Sequence, residues 1–260
     1  MNPTQFLSHE LRAIRQRLGM TQVEFARAIH FSDSHVSAVE TGHRPPRADY
    51  CRRVDEVAHT GRLYQGLLRL VSLDHAPSWL IPWLEYEARA TALRSYQPLV
   101  LPGLLQTEEY ARAILATGLA SPEEQARTLD LRLGRPALVF DRDAPPLTTF
   151  VIDETVLRRG PADVLRPQIA HLLAMSERPR VLIHVVPATA GFYLGQSGAF
   201  ALANLPESEP AGYLDDQLAG RVVLDPEHVA ALERTWEAVR AEALPRTQSR
   251  ELIRKLVEER

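Results

Sequence analysis

The sequence predicts an all-α domain of five short helices followed by a mixed α+β (or α/β) domain, and three observations carry that prediction. Residues 1–73 show only helical apolar spacing, punctuated by capping residues, glycine and proline. Residues 79–260 alternate short runs rich in valine, leucine and isoleucine with helix-length segments. Between them, Asp74-His75-Ala76-Pro77-Ser78 reads as a linker, residues 74–78. Charge divides at nearly the same place. Residues 1–72 hold ten arginines against seven acids, a balance of +3, whereas residues 73–260 hold 20 basic and 26 acidic residues, a balance of −6. A basic small domain on an acidic larger one fits a nucleic-acid reader attached to a second module.

The helices of the first domain follow from local chemistry. Leu7, Leu11, Ile14 and Leu18 recur at spacings of four, three and four, one stripe of a helix that Gly19 ends. Thr21 and Glu24 stand as a T-x-x-E capping box opening a second helix, whose Phe25, Ala26 and Ile29 face inward. Ala26 is small enough for two helices to cross closely there. His30-Phe31 makes the turn, Ser32 caps a third helix running to about Thr41, and Val36 and Val39 are its inward residues. Gly42 closes that helix, and His43-Arg44-Pro45-Pro46-Arg47 forms a stiff basic loop. Two more helices follow, around Tyr50, Val54 and Val57, and around Leu63, Leu67, Leu70 and Val71. A short helix, a tight turn and a second short helix whose start is polar and outward-facing make a helix-turn-helix. The second of these helices lies in the major groove of double-stranded DNA.

These residues also carry a resemblance. L-R-x-x-R-x-x-x-G-M-T-Q-x-x-x-A, followed by V-S-x-V-E-x-G-x-R-x-P, resembles the Cro/repressor-type XRE helix-turn-helix, lambda-repressor-like in fold, over residues 8–72. The resemblance implies that Ser32, Asp33, Ser34, Ser37 and Ala38 face the bases. It also implies that Gln22 and Arg44 reach phosphates; Arg47 joins them as a second cation beside the recognition helix. Many such proteins place Gln, Arg or Asn where Asp33 and Ser34 stand. Asp33 accepts from cytosine but repels phosphate, and Ser34 is a tolerant reader.

In the larger domain, Trp79, Ile81, Trp83 and Leu84 form a dense apolar start, and residues 85–95 read as helix. Pro98 and Pro102 extend the chain before a helix capped by Thr107. Ser121-Pro122-Glu123-Glu124 is a second capping box, opening a helix to about Leu133. Strand-like runs are expected at Ala137–Phe140, Leu147–Ile152, Val181–Val186, Gly198–Asn204 and Arg221–Leu224, with helices at 154–159, 162–176, 227–243 and 248–259. P-L-V-L-P-G-L-L-Q-T-E-E-Y-A-R-A-I-L, then V-I-D-E-T-V-L-R-R-G, resembles the uncharacterised C-terminal domain of many actinobacterial XRE regulators, over residues 79–255. Such domains are described as antitoxin-like, which implies a small protein partner, a signal received here, or both.

Enzymatic chemistry is not expected. Gly195-Gln196-Ser197-Gly198 misses the G-x-S-x-G spacing by one residue, and no H-E-x-x-H, phosphate loop or dinucleotide glycine pattern occurs. Cys51 is the only cysteine, which excludes an intrachain disulfide and thiolate zinc sites. Neither cofactor nor metal is expected. A small apolar effector would find Trp79, Trp83, Phe192 and Tyr193 as pocket walls. No apolar run reaches membrane-spanning length, so no membrane partner is expected and a cytoplasmic, nucleoid-associated protein is. One recognition helix reads too few base pairs to be specific, so a homodimer on a palindromic operator is expected.

Overall fold

The computed structural model describes residues 3–74, 76–206, 209–216 and 218–259; His75, in the expected linker, lies outside the described residues. The chain divides into two compact units, Met1–Ala76 with Ala126–Leu138, and Pro77–Gln125 with Val139–Arg260.

The first unit contains α1 (Pro3–Arg17), α2 (Gln22–Ile29), α3 (Asp33–Glu40), α4 (Ala48–Ala58) and α5 (Leu63–Asp74). Leu7 and Leu11 of α1, Phe25 and Ile29 of α2, Val36 and Val39 of α3, and Tyr50, Cys51 and Val54 of α4 are each wholly removed from solvent. Burying each such side chain contributes roughly 1.5–3 kcal/mol, which fixes helices too short to persist alone. Thr21 caps α2 through the full reciprocal box, and Ser32 Oγ accepts the amide of His35 to cap α3. The expectation of five helices alone is corrected. Ala126–Leu138, the middle of a longer helix, groups with them.

That helix, α8, spans Pro122–Phe140 and continues through Gly134 and Pro136. The strand expected at Ala137–Phe140 is therefore its last turn. A run of four apolar residues carries no period that separates strand from buried helix. Here Val139 and Phe140 are buried in the core of the second unit, at 1% and 6% exposure, so burial sustains the helix past its proline.

The second unit is built on a six-stranded sheet of β1 (Ala92–Gln97), β2 (Leu147–Asp153), β3 (Val181–Val186), β4 (Phe200–Asn204), β5 (Ala211–Asp215) and β6 (Gly220–Val223), in the order β3-β2-β1-β4-β5-β6. The first three strands run parallel and the last three antiparallel, with Ala92 opposite Leu147 and Tyr96 opposite Phe200. One face packs Leu93, Phe150, Ile152, Ile183 and Val185 against α6 (Ile81–Arg89), α7 (Glu108–Leu115), α9 (Glu154–Arg158), α10 (Ala162–Met175) and α12 (Arg246–Glu258). The other packs Tyr96, Val151, Val186, Phe200 and Leu202 against α11 (Pro226–Glu242). This alternation of faces is what a sheet covered on both sides requires.

Two strands escape the sequence reading. Residues 92–97 occupy the centre of the sheet rather than a helix continuing to 95, and β5 is not anticipated at all. β1 carries Arg94 in a central strand, a choice that becomes intelligible only through its partners. The guanidinium donates to Asn204 Oδ1 at 3.1 Å and to Glu233 of α11 at 2.9 Å. β5 carries Gly212 in its interior, where a Cβ would come within 2.6 Å of Leu232 Cδ1. The glycine lies where α11 comes close over the strand.

Candidate nucleic-acid interface

The turn between α2 and α3 is set by His30, which closes α2 in the left-handed conformation (φ 62), while Phe31 N donates to Ala26 O at 2.9 Å. Ala26 is 3% exposed, as the close crossing of the two helices demands. At the start of α3, Ser32, Asp33 and Ser34 are exposed, and one turn later Ser37 and Ala38 are half-exposed. All five base-facing candidates thus stand on the outward side of one short helix, opposite Val36 and Val39. Their polar groups are partly committed. Ser32 Oγ and Ser34 Oγ share a hydrogen bond of 3.0 Å, and Asp33 Oδ1 accepts the Ser34 amide at 2.8 Å. The Asp33 carboxylate sits at the positive end of the helix dipole, where it is favourable, and lessens the pull of that end on phosphate.

Past α3, Arg44 N donates to Ala38 O at 3.0 Å, which folds the basic loop back on the recognition helix. Its exposed guanidinium makes no side-chain hydrogen bond or ion pair among the described residues. Arg47 is exposed at the extended N-cap of α4 (φ −99, ψ 169). Both cations act on His35, whose pKa burial pushes below the usual imidazole value, with Arg44 and then Arg47 adding to the shift and Asp49 opposing it. His35 is stacked on Tyr50 with centroids 5.7 Å apart and meets Phe31 edge-on at 4.8 Å. Neither His35 Nε2 nor the Tyr50 hydroxyl finds a hydrogen-bond partner.

Gln22 is placed differently from the other phosphate candidates. It is half-buried, and its Nε2 donates to Glu40 Oε2 at 2.9 Å. Glu40 in turn holds Arg15 by two bonds, Nε to Oε1 at 2.5 Å and an Nη to Oε2 at 2.8 Å, and Arg15 also donates to Met20 O at 2.8 Å. With side chains 11% and 2% exposed, this is a buried bidentate pair, and the hydrogen bond to Glu40 raises the Arg15 pKa further. The pair ties the end of α3 to α1 and the start of α2, so it sets the tilt of the reading surface. Sequence inspection missed it, although an acid directly following inward Val39 is a visible anomaly on an apolar face.

The four pocket candidates are not gathered in one place. Trp83 is buried on one face of the sheet, stacked on Tyr213 at 5.0 Å, and Trp79 lies over Gly220 on that same face. Tyr193 lies on the opposite face, its hydroxyl donating to Asp153 Oδ2 at 2.6 Å and meeting the Tyr96 hydroxyl at 2.7 Å. Phe192 is 98% exposed. His184 Nδ1 pairs with Leu244 O, and Asp153 Oδ1 and Oδ2 accept from Thr155 and Tyr193. Among the described residues, no three His, Cys, Asp or Glu side chains gather in a metal-binding group, and no helix is long and apolar enough to cross a membrane.

Comparison with known proteins finds two family models along the chain. Residues 7–63 match the family model of a helix-turn-helix domain, and residues 82–255 match one described as a domain of unknown function. No curated protein and no solved structure matches the chain. The second match covers well over half of the sequence, and the chain therefore belongs to the family named Domain of unknown function (DUF5753), carrying a helix-turn-helix domain ahead of it.

Proposed function

We propose that this protein is a sequence-specific, DNA-binding transcriptional regulator. It acts as a dimeric repressor on a palindromic operator, and it binds rather than catalyses. Its C-terminal unit supplies the dimer surface and receives the regulatory signal. The observation that carries the reading is the exposed first turn of α3, with Arg44 folded alongside it and its guanidinium directed to no side-chain partner among the described residues. A surface of this kind meets base edges at the helix start and phosphates at its flank. Asp33 and Ser34 favour a modest direct readout, with cytosine N4 facing the carboxylate.

Fluorescence anisotropy of labelled duplexes across a salt series tests this. Arg44→Ala is expected to weaken binding to all sequences alike and to reduce the slope of log affinity against log salt by about one counterion. Ser34→Ala should leave that slope alone and change which duplexes are selected from a random pool. An unaltered salt slope in the Arg44 variant would remove its phosphate role, and absence of binding even in dilute salt would remove the function.

A further inference from the structure

The two edges of the sheet are treated differently. On β3, Leu244 N donates to Val185 O at 2.8 Å and Val185 N donates to Ser249 Oγ at 3.0 Å, so the α11–α12 junction seals that edge. On β6 the inner side pairs with β5, and among the described residues no strand pairs with the outer side. The strand is short, Gly220-Arg221-Val222-Val223, but it carries no proline and no lysine, and its one charge, Arg221, points away from the larger core. Leu224 follows it 55% exposed.

We propose that the outer edge of β6 is the dimer surface, pairing antiparallel with β6 of a second copy about a twofold axis at Val222. This rests on the dimeric reading above. The register follows from self-complementarity. With Val222 opposite Val222 of the second copy, Arg221 stands opposite Val223 and diagonal to Asp225, within reach of a long side chain. The chain is still extended at Asp225 (φ −61, ψ 123), and its Oδ1 caps α11 by accepting the amides of Glu227 and His228. Its second oxygen faces the guanidinium of the other copy, and the symmetry makes that exchange twice. On the opposite face, Leu224 falls against Gly220 of the second copy, beside the Trp79 ring that lies over that glycine. A twofold pairing of one edge with itself closes after two chains and leaves no growing ladder.

The test uses the full chain. Cys51 is buried, so Val222→Cys introduces the one accessible thiol, and mild oxidation should link two chains through it, while Leu218→Cys at the 93%-exposed hairpin tip should not link at the same dilution. In sedimentation, Arg221→Glu, an exposed change that spares the fold, should weaken the dimer by at least about tenfold and regain part of that in high salt. A dimer that neither links through position 222 nor responds to Arg221→Glu overturns this interface and leaves the DNA reading intact. A wild-type monomer at working concentration overturns the interface together with the dimeric reading. A responsive dimer that binds no DNA keeps the interface and defeats the function.

Discussion

Two polar knots, one in each unit, differ in kind. In the helical unit, Arg15, Glu40 and Gln22 form an ionic cluster linking residues 18 and 25 positions apart in the chain. In the sheet unit, Tyr193 bridges Asp153 and Tyr96 across 40 and 97 positions. The first orients a helix that faces outward. The second pins the Gly191–Gly198 segment over the ends of β1 and β2. Gly195 is needed there, since a Cβ would approach Tyr96 Oη within 2.5 Å. Burial holds the Tyr193 phenol well above its usual range, with the Asp153 and Tyr96 hydrogen bonds adding to the shift, and pushes Tyr96 up to about 12. Both phenols therefore stay neutral across the physiological range, and the knot contributes hydrogen bonds without a buried ion pair. Ion pairs fail hard when one partner goes; a phenol hydrogen-bonded to a carboxylate fails by the value of that hydrogen bond.

The largest expected effect comes from removing half of the ionic knot. Glu40→Ala leaves the Arg15 guanidinium buried without its counter-charge, which costs about 3–5 kcal/mol. All three tryptophans, Trp79, Trp83 and Trp236, belong to the second unit. Denaturant unfolding followed by circular dichroism should therefore show the first unit's share of the helical signal lost early, while tryptophan fluorescence and the remaining helical signal keep their midpoint. Coincident shifts of both signals would mean that the two knots do not stabilise separate units.

Tyr193→Phe should reverse the pattern at smaller size. It removes a hydrogen bond to a carboxylate and leaves the wholly buried Tyr96 hydroxyl without its partner, a loss of about 1.5–3 kcal/mol. Here the tryptophan transition should move, and amide exchange between Gly191 and Gly198 should quicken. Unchanged exchange in that segment would show that Tyr193 does not hold it.

The same contrast explains what the sequence made legible. Thr21, Ser32, Thr107 and Ser121 cap helices through partners three residues away, and each cap is visible in the chain itself. The base-facing candidates follow, because their placement depends on one helix and one turn. Arg94 in β1 and Gly212 in β5 make sense only against Glu233 and Leu232, far along the chain, so the strands that hold them went unread. The pocket candidates rest on aromatic character and local segment composition, neither of which fixes the face of a sheet. Trp83 and Tyr193, far apart in the chain, are separated by the sheet itself.

The smallest effect sharpens the comparison by pH. His35 in α3 and His184 in β3 are both held below the ordinary imidazole pKa, first by burial. His184 keeps a partner in Leu244 O, which partly restores its basicity, whereas His35 Nε2 has none. Because the folded pKa lies below the unfolded value of about 6.5, the unfolded chain binds the extra proton first as the solution is acidified. Stability is thus whole above that value and falls as pH drops through it towards the folded pKa. For His35 the groups that matter are the Phe31 and Tyr50 rings, Arg44 and Arg47 pressing the shift downward, and Asp49 resisting it. His35→Phe keeps the stacking and removes the titration, so it should flatten the acid side of the stability curve read by circular dichroism and leave the tryptophan-detected curve, where His184 reports, as steep as before. Equal slopes in variant and wild type by both signals would place the acid sensitivity outside the recognition helix.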